Sequence, residues 1–235
     1  MVSIEFDDAY QDQWNIRDEL KSHGIGATFF INSSLIGTPG YLSVGQLLQL
    51  QGDGHEMGGH TRHHAHLTDL SYDQQVDEVC GDKNQLIAWD LAAHDFAYPD
   101  GAYDETTRQI VRDCGYNSAR TVYGLTAPGL CKTTPGCRRA ETLPPSGLFA
   151  TLTVPSDVPP LGFHALQGYL LQGRKAKGRT WIQYVFHHIC KGCDANAVTP
   201  QVFHRFLDWL VRPRIAKQIK LLRVDFLTGK PGPGR

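Results

Sequence analysis

The sequence predicts an α/β protein in which helices cover a parallel sheet. Short apolar runs of strand length alternate along the chain with longer stretches in which apolar residues recur at helical spacing, and this alternation is typical of such sheets. Polar side chains suited to chemistry follow several predicted strands: Asp7-Asp8, His60, Pro99-Asp100 and His187. Active sites of α/β folds lie at the carboxyl ends of the strands, so we expect these side chains to meet.

The N-terminal part of the chain supplies short strands separated by helices. Residues 11–22 form the first predicted helix, with Trp14, Ile16 and Leu20 on its apolar side. Ser43 is the predicted N-cap of the second helix, because its hydroxyl can accept a bond from an unpaired N–H of the first turn. The predicted strands of this part are residues 2–6, the compact apolar run 27–32, and residues 55–58, a short strand that leads to the histidine cluster.

The alternation continues after residue 70 with one irregular stretch. Ser71 caps a helix that runs to about Trp89, residues 103–113 are mostly helical, and Thr199 begins a helix with an apolar face. Residues 123–160 are rich in Gly, Pro, Thr and Ser, and we expect loops with short strands there. The predicted strands of this part are residues 96–98, 118–122, 181–187 and 219–226.

Size and charge exclude several classes of protein. The 235 residues are enough to bury a core, and we expect a single domain over residues 1–228 and a flexible tail over residues 229–235. The 23 basic and 24 acidic residues nearly cancel, so there is no reason to expect nucleic acid or a membrane surface as partner. No run of about 18 apolar residues predicts a transmembrane helix. We expect a monomer.

The six cysteines are compatible with more than one chemistry. Cys131–Cys137 and Cys190–Cys193 are close pairs that together would suit a four-Cys zinc site, and free thiols are a further possibility. The even number of cysteines favours disulfides in an exported protein. The Cys131–Cys137 spacing argues against zinc, because it is longer than in most zinc knuckles. We therefore expect a secreted or cell-envelope protein, although no signal peptide precedes the first strand; the chain is either leaderless or trimmed, with Met1 added.

Two segments combine the residue types of a hydrolytic metal site. Asp7 and Asp8 end the first strand, where one carboxylate can bind a cation while the other takes a proton from water. His60 and His64 are four residues apart, which predicts that both lie on one face of a helical turn. A pair of solvated carboxylates and a histidine-rich surface tract are the alternatives.

A third segment completes an ordered set. His187 follows the apolar residues 181–186, where it is either a core histidine or a proton donor. Together the segments resemble the polysaccharide deacetylases of carbohydrate esterase family 4, over residues 2 to about 210. The segments that carry the resemblance are Phe6-Asp7-Asp8, His60-Thr61-Arg62-His63-His64, Phe96-Ala97-Tyr98-Pro99-Asp100-Gly101 and Phe186-His187-His188-Ile189.

The resemblance implies a fold, a reaction and residue roles. The fold would be a distorted (β/α) barrel of about seven parallel strands. The reaction would be removal of N- or O-linked acetyl groups from a polysaccharide or oligosaccharide, with Asp7 as general base and His187 as general acid. Asp8, His60 and His64 would hold Zn²⁺ or another divalent metal such as Co²⁺. Chitin oligomers, peptidoglycan, poly-N-acetylglucosamine and acetylxylan all remain possible substrates.

The chain departs from the family pattern at its third motif. That motif commonly reads Arg-x-x-Pro-Tyr-Gly, and its Arg orients the base; here no Arg precedes Pro99, and Asp100 replaces the aromatic residue. The orienting cation is therefore either absent or supplied by another part of the chain; Arg138 or Arg139 is the candidate, and the alternative is that both are plain surface charges. Tyr98, Pro99, Asp100 and Arg139 are expected to contact the oxyanion or the substrate, chiefly through a backbone N–H of the turn at residues 98–100.

Two other functions compete with the deacetylase. A carbohydrate-binding protein that kept the fold and lost turnover would explain the missing Arg. A non-haem iron oxygenase would also use two histidines and one carboxylate, but it would have no use for Asp7. The family's fourth motif, an Asp/Trp element, is not identifiable in the sequence.

Overall fold

A parallel sheet curved into a barrel forms the centre of the protein. The structure is a computed structural model that describes residues 1–156 and 161–228, without the side chain of Phe226. Its strands are β1 (Val2–Phe6), β2 (Thr28–Ile31), β3 (Glu56–Gly59), β4 (Ala93–Ala97), β5 (Ser118–Gly124), β6 (Glu141–Thr142), β7 (Thr151–Thr153) and β8 (Thr180–Phe186). The described residues give the strand order β6-β8-β1-β2-β3-β4-β5-β7, and only β6 runs antiparallel to its neighbour.

Hydrogen bonds between β7 and β8 nearly close the barrel. The N–H of Val154 donates to the carbonyl of Gln183 at 2.9 Å. The Gln183 amide donates to the carbonyl of Leu152 at 2.9 Å and to the Thr151 hydroxyl at 3.0 Å. The parallel strands therefore form a ring from β8 through β1 to β7, with β6 added at the outside. The predicted distorted (β/α) barrel of about seven parallel strands is confirmed.

Helices cover the outer face of the sheet. A 3₁₀ turn (Gln11–Ile16) leads into the first of them, and a π-helical turn (Asp77–Gly81) joins the third and fourth into one continuous helix, as predicted from Ser71 onwards. Ser43 and Ser71 both form capping boxes, which confirms them as N-caps. The helices are α1 (Arg17–Ser22), α2 (Val44–Gly52), α3 (Tyr72–Val76), α4 (Asp82–Ala88), α5 (Glu105–Asp113), α6 (Phe163–Gly173), α7 (Pro200–Leu210), α8 (Pro213–Ala216) and α9 (Val224–Thr228).

A cluster of aromatic side chains anchors the two strands that lead to the predicted site. Phe6 at the end of β1 stacks on Phe29 at 4.8 Å and meets Phe203 of α7 at 5.8 Å. Phe186 at the end of β8 meets Phe203 at 5.1 Å. All four rings are buried, and burying one such side chain contributes about 1.5–3 kcal/mol. The apolar cluster therefore fixes the residues that follow each strand, Asp7 and His187.

The predicted strand at residues 219–226 is wrong. Val2 and Leu221 form a single bridge, and the chain then turns into α9. The physical reason is that β1 offers an unpaired edge only before Glu5, where Leu221 bridges to Val2: from Glu5 onwards one edge pairs with β2, and the other edge pairs with β8 along its whole length. An apolar run without an unpaired edge cannot continue as a strand.

Helix α6 lies in a region for which the sequence predicted no element. It begins after Gly162, which has no capping side chain, and Gly168 interrupts its pattern. The loops and short strands expected over residues 123–160 are present as β6 and β7 in the described part of that stretch. Residues 157–160 and the predicted tail, residues 229–235, lie outside the described residues.

All six cysteines form disulfides, so the disulfide prediction is confirmed and the four-Cys zinc site and the free thiols are wrong. The longest-range bond joins the π-helical turn to the end of α5, and the other two close short loops. The pairs are Cys80–Cys114, Cys131–Cys137 and Cys190–Cys193. Among the described residues, no helix is long and apolar enough to cross a bilayer.

A buried group of acids lies at the amino ends of the strands. Glu56 accepts hydrogen bonds at one oxygen from the Thr28 hydroxyl (2.7 Å) and the Asp225 N–H (3.0 Å). Burial raises the pKa of Glu56 well above its usual range, and Asp95 and Asp225 add to the shift. Glu56 is therefore protonated in the folded protein at a pH where it would ionise in the unfolded chain.

Glu56→Gln should reduce the loss of stability with rising pH. A raised pKa in the folded state gives stability that is complete below the ordinary value of 4.5 and is lost as pH rises through the folded value. Gln keeps the shape of the protonated acid but does not ionise. The unfolding free energy should fall between about pH 5 and pH 8 in both proteins, and we expect this fall to be about 1–2 kcal/mol smaller in the variant than in the wild type. Urea denaturation at both pH values measures this.

The exposed residue Glu105 provides the control, because its change to Gln removes a carboxylate that is not buried. Equal pH dependence in wild type and Glu56→Gln would contradict the prediction.

Candidate metal and catalytic site

The residues predicted to carry chemistry line one cavity at the carboxyl ends of the strands. Its volume is about 520 Å³, and Asp7, Asp8, His60, His64 and His187 all line it. They follow β1, β3 and β8, three strands that lie close together in the barrel. The structure thus brings together the five residues that the sequence proposed as base, acid and metal ligands, although their roles remain predictions.

The end of β1 turns sharply so that neighbouring carboxylates reach the same cavity. Asp8 and Ala9 both have left-handed backbone conformations, with φ of 70° and 56°. Such conformations cost non-glycine residues about 1–3 kcal/mol each and are concentrated at functional sites. Successive residues of a regular strand would point to opposite faces, so this turn is what allows Asp7 and Asp8 to act together.

His60 and His64 converge through a loop, and the predicted helical turn between them is wrong. His60 continues the direction of β3, because its N–H donates to the carbonyl of Ile31 at 3.0 Å and to Asp82 Oδ2 at 3.1 Å. The carbonyls of His60 and Thr61, which a helical turn beginning at His60 would use, instead accept hydrogen bonds from the Asn32 amide. The loop then reverses at Thr61 and His64, whose φ values are 66° and 57°.

The geometry of three side chains fits a divalent cation. His60 Nε2 and His64 Nε2 lie 3.6 Å and 3.5 Å from Asp8 Oδ1. Ligand atoms bound at zinc distances in a tetrahedral site are about 3.4 Å apart. His60 Nδ1 donates to the carbonyl of Ala97 at 2.8 Å, which leaves Nε2 as the ligand atom. Burial lowers the pKa of His60, so its imidazole is neutral, as metal binding requires.

Tyr10 supports the ligand carboxylate from behind. Its ring stacks on Tyr41 at 5.3 Å and on His188 at 3.8 Å. Burial raises the pKa of Tyr10, and the Asp8 carboxylate, which is hydrogen-bonded to the Tyr10 hydroxyl, adds to the shift. His188 in turn contacts Asp12 Oδ2 through Nδ1 at 2.9 Å. This stacked column forms one wall of the cavity and holds Asp8 in place.

Asp7 is held at one oxygen by a buried arginine. Arg120 Nη2 donates to Asp7 Oδ1, and both side chains are almost completely buried. Asp7 Oδ2 has no hydrogen-bond partner among the described residues and lies 3.9 Å from His187 Nε2. Burial acts to raise the pKa of Asp7, but Arg120, with His60 and His187, outweighs it and lowers the pKa. Asp7 is thus an ionised carboxylate with one oxygen available.

Arg120 replaces the cation that was expected from Arg138 or Arg139, and that expectation is wrong. Arg139 lines a different cavity, together with Pro128 and Gln172. Arg120 lies on β5, where it pairs with Ala97 of β4 in the parallel ladder. The cation is therefore supplied by β5, the strand next to β4, and not by the third motif itself, in which the Arg is missing.

A sequence signal for Arg120 existed. An arginine within a predicted apolar strand has to be paired if it is buried, and residues 118–122 were predicted to form such a strand.

The turn after β4 contributes less to the cavity than the sequence suggested. Tyr98 is fully buried, its hydroxyl donates to the carbonyl of Phe149 at 3.1 Å, and its N–H donates to the carbonyl of Arg120. Its predicted substrate contact is therefore wrong. Pro99 is buried and has no N–H. Of the turn residues, Asp100 lines the cavity, so its N–H is the candidate oxyanion donor.

A buried glutamine ties the two catalytic strands together. The Gln13 amide donates to the backbone carbonyl of Asp7 at 2.6 Å and to that of His187 at 2.7 Å. His187 and His188 both line the cavity, although strand alternation predicted opposite directions. The reason is that β8 ends at Phe186, so the alternation stops there. Sequence reasoning did not identify Gln13, because a single Gln in a helical pattern has no signal.

Comparison with known proteins supports the fold and identifies the family. A family model described as polysaccharide deacetylase matches residues 1–119, about half of the chain. The chain belongs to this family. The matched part contains Asp7, Asp8, His60 and His64, whereas Arg120 and His187 lie beyond it.

Curated relatives match a similar part of the chain. YxkH of Bacillus subtilis, which is provisionally named a polysaccharide deacetylase, is 31% identical over 133 residues, or 54% of this chain and 45% of YxkH. The uncharacterized protein SCO4760 of Streptomyces coelicolor is 29% identical over 116 residues, or 49% of this chain and 45% of that protein. The match thus spans less than half of the length of these relatives.

Solved structures of deacetylases share the fold. The deacetylase PplD of Streptococcus pyogenes, in complex with acetate, has a TM-score of 0.55 at 24% identity, covering 65% of this chain and 63% of that one. The Xyl-CE4 domain of a multidomain xylanase from the hindgut metagenome of Trinervitermes trinervoides has a TM-score of 0.61 at 14% identity, covering 96% of this chain and 88% of that one.

A pseudoenzyme of the same esterase family also shares the fold. The Bacillus anthracis protein BA3943 has a TM-score of 0.57 at 16% identity, covering 98% of this chain and 66% of that one. A mutant of it with restored enzymatic activity has a TM-score of 0.60. Because all these identities are under 25%, the structural similarity shows the fold alone.

His60→Ala should remove the bound metal. Loss of an outer partner of a metal ligand already weakens binding 10–100-fold, so loss of the ligand should weaken it at least about 100-fold. We expect close to one zinc per chain in the wild type and close to none in the variant, measured by elemental analysis after dialysis against zinc-buffered solution.

His63→Ala is the matched control, because His63 is exposed and pairs with Glu78 through Nδ1 at 2.7 Å. A full zinc equivalent in His60→Ala, or its loss in His63→Ala, would contradict the assignment of the ligands.

Proposed function

We propose that the protein is a metal-dependent hydrolase that removes N- or O-linked acetyl groups from a polysaccharide or oligosaccharide. One observation supports this above all: the cavity combines three metal-ligand side chains with a separate carboxylate that is not a ligand. That carboxylate, Asp7, has one oxygen held by Arg120 and the other directed towards His187. A site that only binds metal or sugar does not require this arrangement.

Asp7 is the proposed general base. A divalent cation at Asp8, His60 and His64 would lower the pKa of a water molecule and polarise the acetyl carbonyl. Asp7 Oδ2 is the unpartnered oxygen in the cavity, so it accepts the proton that the attacking water gives up. Arg120 keeps the other oxygen fixed, and the lowered pKa keeps Asp7 ionised before the reaction.

His187 and Asp100 complete the proposed mechanism. His187 Nε2 lies across from Asp7 Oδ2, at the side where the sugar nitrogen or oxygen would leave, and it donates a proton to that atom. Asp100 lines the cavity, and its N–H would donate to the oxygen that becomes negatively charged. The acetyl carbon is thus transferred to water, and acetate and the free amine or hydroxyl are released.

The competing carbohydrate-binding function loses its main support. It was motivated by the missing Arg of the third motif, and Arg120 supplies that cation from β5. The similarity to a pseudoenzyme concerns the fold and gives no reason to expect inactivity here. A protein that only binds sugar has no need of a carboxylate base and a histidine acid beside a metal site.

The disulfides support an exported location, because such bonds persist in oxidising compartments. Zn²⁺ is the metal we propose, since a His₂-carboxylate set with an open position is typical of catalytic zinc. Chitin oligomers, peptidoglycan, poly-N-acetylglucosamine and acetylxylan are the candidate substrates. We propose that the protein acts on them as a monomer.

Acetate release should depend on zinc. We expect chelator-stripped protein to be inactive on all four candidate glycans and to release acetate from at least one of them once zinc is restored, because the nucleophile requires the metal. Enzymatic quantification of acetate measures this.

Asp7→Asn is the decisive companion variant. It should keep zinc, because Asp7 is not a ligand, and lose about 10²–10⁴-fold in kcat. Zinc binding without acetate release in the wild type, or an Asp7→Asn variant as active as the wild type, would sink the hydrolase assignment and favour the binding protein.

His187→Ala should slow the reaction according to the leaving group. A general acid matters most when a poor leaving group such as an amine has to depart, so we expect a loss of about 10²–10⁴-fold on an N-acetyl substrate. The loss should be much smaller on p-nitrophenyl acetate, which needs no proton. Steady-state kinetics on both substrates measures the difference, and an equal loss on both would indicate a folding defect instead.

A further inference from the structure

Glu5 is a buried acid that neither the metal site nor the reaction uses. It lies on β1 two residues before Asp7, so both side chains point to the same face of the sheet, the barrel interior. Glu5 is completely shielded from solvent. Charged side chains are almost never fully buried without a specific partner, so its presence directly beneath the proposed base calls for an explanation.

The partner of Glu5 is the same arginine that holds Asp7. Arg120 Nε donates to Glu5 Oε2 at 2.6 Å, while Nη2 donates to Asp7 and Nη1 to the carbonyl of Thr121 at 3.2 Å. The guanidinium also lies 4.4 Å from the centre of the Phe30 ring. One cation is therefore shared between two buried carboxylates, and each of the three guanidinium nitrogens has a defined hydrogen-bond partner.

Glu5 is itself held in place from the far side. The Ser3 hydroxyl donates to Glu5 Oε1 at 2.5 Å, and the Trp181 indole N–H donates to the Ser3 hydroxyl at 2.9 Å. Trp181 is fully buried on β8. This chain of bonds crosses from β8 through β1 to β5 and fixes the position of the Glu5 carboxylate, and with it the orientation of Arg120.

We propose that Glu5 is a positioning residue that keeps one oxygen of Asp7 available as the base, a role that rests on the proposed hydrolase function. Arginine readily binds a carboxylate with two parallel hydrogen bonds, one to each oxygen. Because Glu5 occupies Nε, Arg120 can offer Asp7 only Nη2. Asp7 Oδ1 is thus held, while Oδ2 stays without a hydrogen-bond partner in the described part of the chain, 3.9 Å from His187 Nε2.

The test is Glu5→Gln, a variant of nearly the same shape. A neutral Gln oxygen holds Arg120 Nε less strongly than a carboxylate does, so Nε can turn to the second oxygen of Asp7, while the Gln side chain can still bond to Ser3. We expect zinc content and KM to stay close to the wild-type values and kcat to fall at least about tenfold, because a transition-state contribution is weakened. Glu56→Gln is the matched control, since Glu56 is a buried acid of the same barrel that does not contact Arg120.

A double-mutant cycle with Asp7→Asn separates positioning from general damage. If Glu5 acts through Asp7, adding Glu5→Gln to Asp7→Asn causes no further loss of kcat. The same fold-loss in both backgrounds, or unchanged kcat in Glu5→Gln alone, would overturn the proposal.

A crystal structure of Glu5→Gln tests the inference without turnover, so it remains decisive even if the wild type proves inactive on every glycan. We expect Arg120 to rotate and contact both oxygens of Asp7, at least in part of the molecules. An unchanged single contact to Oδ1, with Oδ2 still open, would show that Glu5 does not control the geometry.

Discussion

The buried Arg120 between Glu5 and Asp7 is the interaction on which the site depends. It joins β5 to β1 through the interior of the barrel, where no water is available to solvate an unpaired charge. The guanidinium can bind both carboxylates only if the strands keep their register, because its hydrogen-bond donors lie in a planar and rigid fork. The interior of the barrel is therefore specified by polar bonds, whereas the outer face of the sheet is specified by apolar packing.

The alternation of β1 shows how these two layers work together. Val2, Ile4 and Phe6 belong to the apolar core between sheet and helices, while Ser3, Glu5 and Asp7 form the polar interior. The apolar side chains supply stability and fix the position of the strand. The polar side chains on the other face then have little freedom to move. This is why the carboxylate of Asp7, at the end of the strand, has a fixed orientation in which one oxygen is bound and the other is not.

The proposed metal ligands and the proposed proton-transfer residues belong to different parts of the fold. Asp8, His60 and His64 lie on two tight loops after β1 and β3, with left-handed backbone at Asp8 and His64. Asp7 and His187 lie at the ends of two adjacent strands and are joined through Gln13. Loops can adopt the unusual conformations that a metal requires, and strands give the fixed distance that proton transfer requires. The family match covers the loops that bear the ligands but not Arg120 or His187.

The sequence by itself determined the class of fold, most strands and helices, and the five residues that meet in the cavity. These follow from local properties: the period of apolar residues, capping serines, and polar residues at strand ends. The tertiary structure decided what depends on distant neighbours. The run at residues 219–226 is no strand because β1 is paired on both edges from Glu5 onwards, and His60 and His64 meet in a loop because the Asn32 amide binds the carbonyl of His60. Arg120 is the orienting cation because β5 lies beside β4, a proximity set by strand order and invisible in the chain itself.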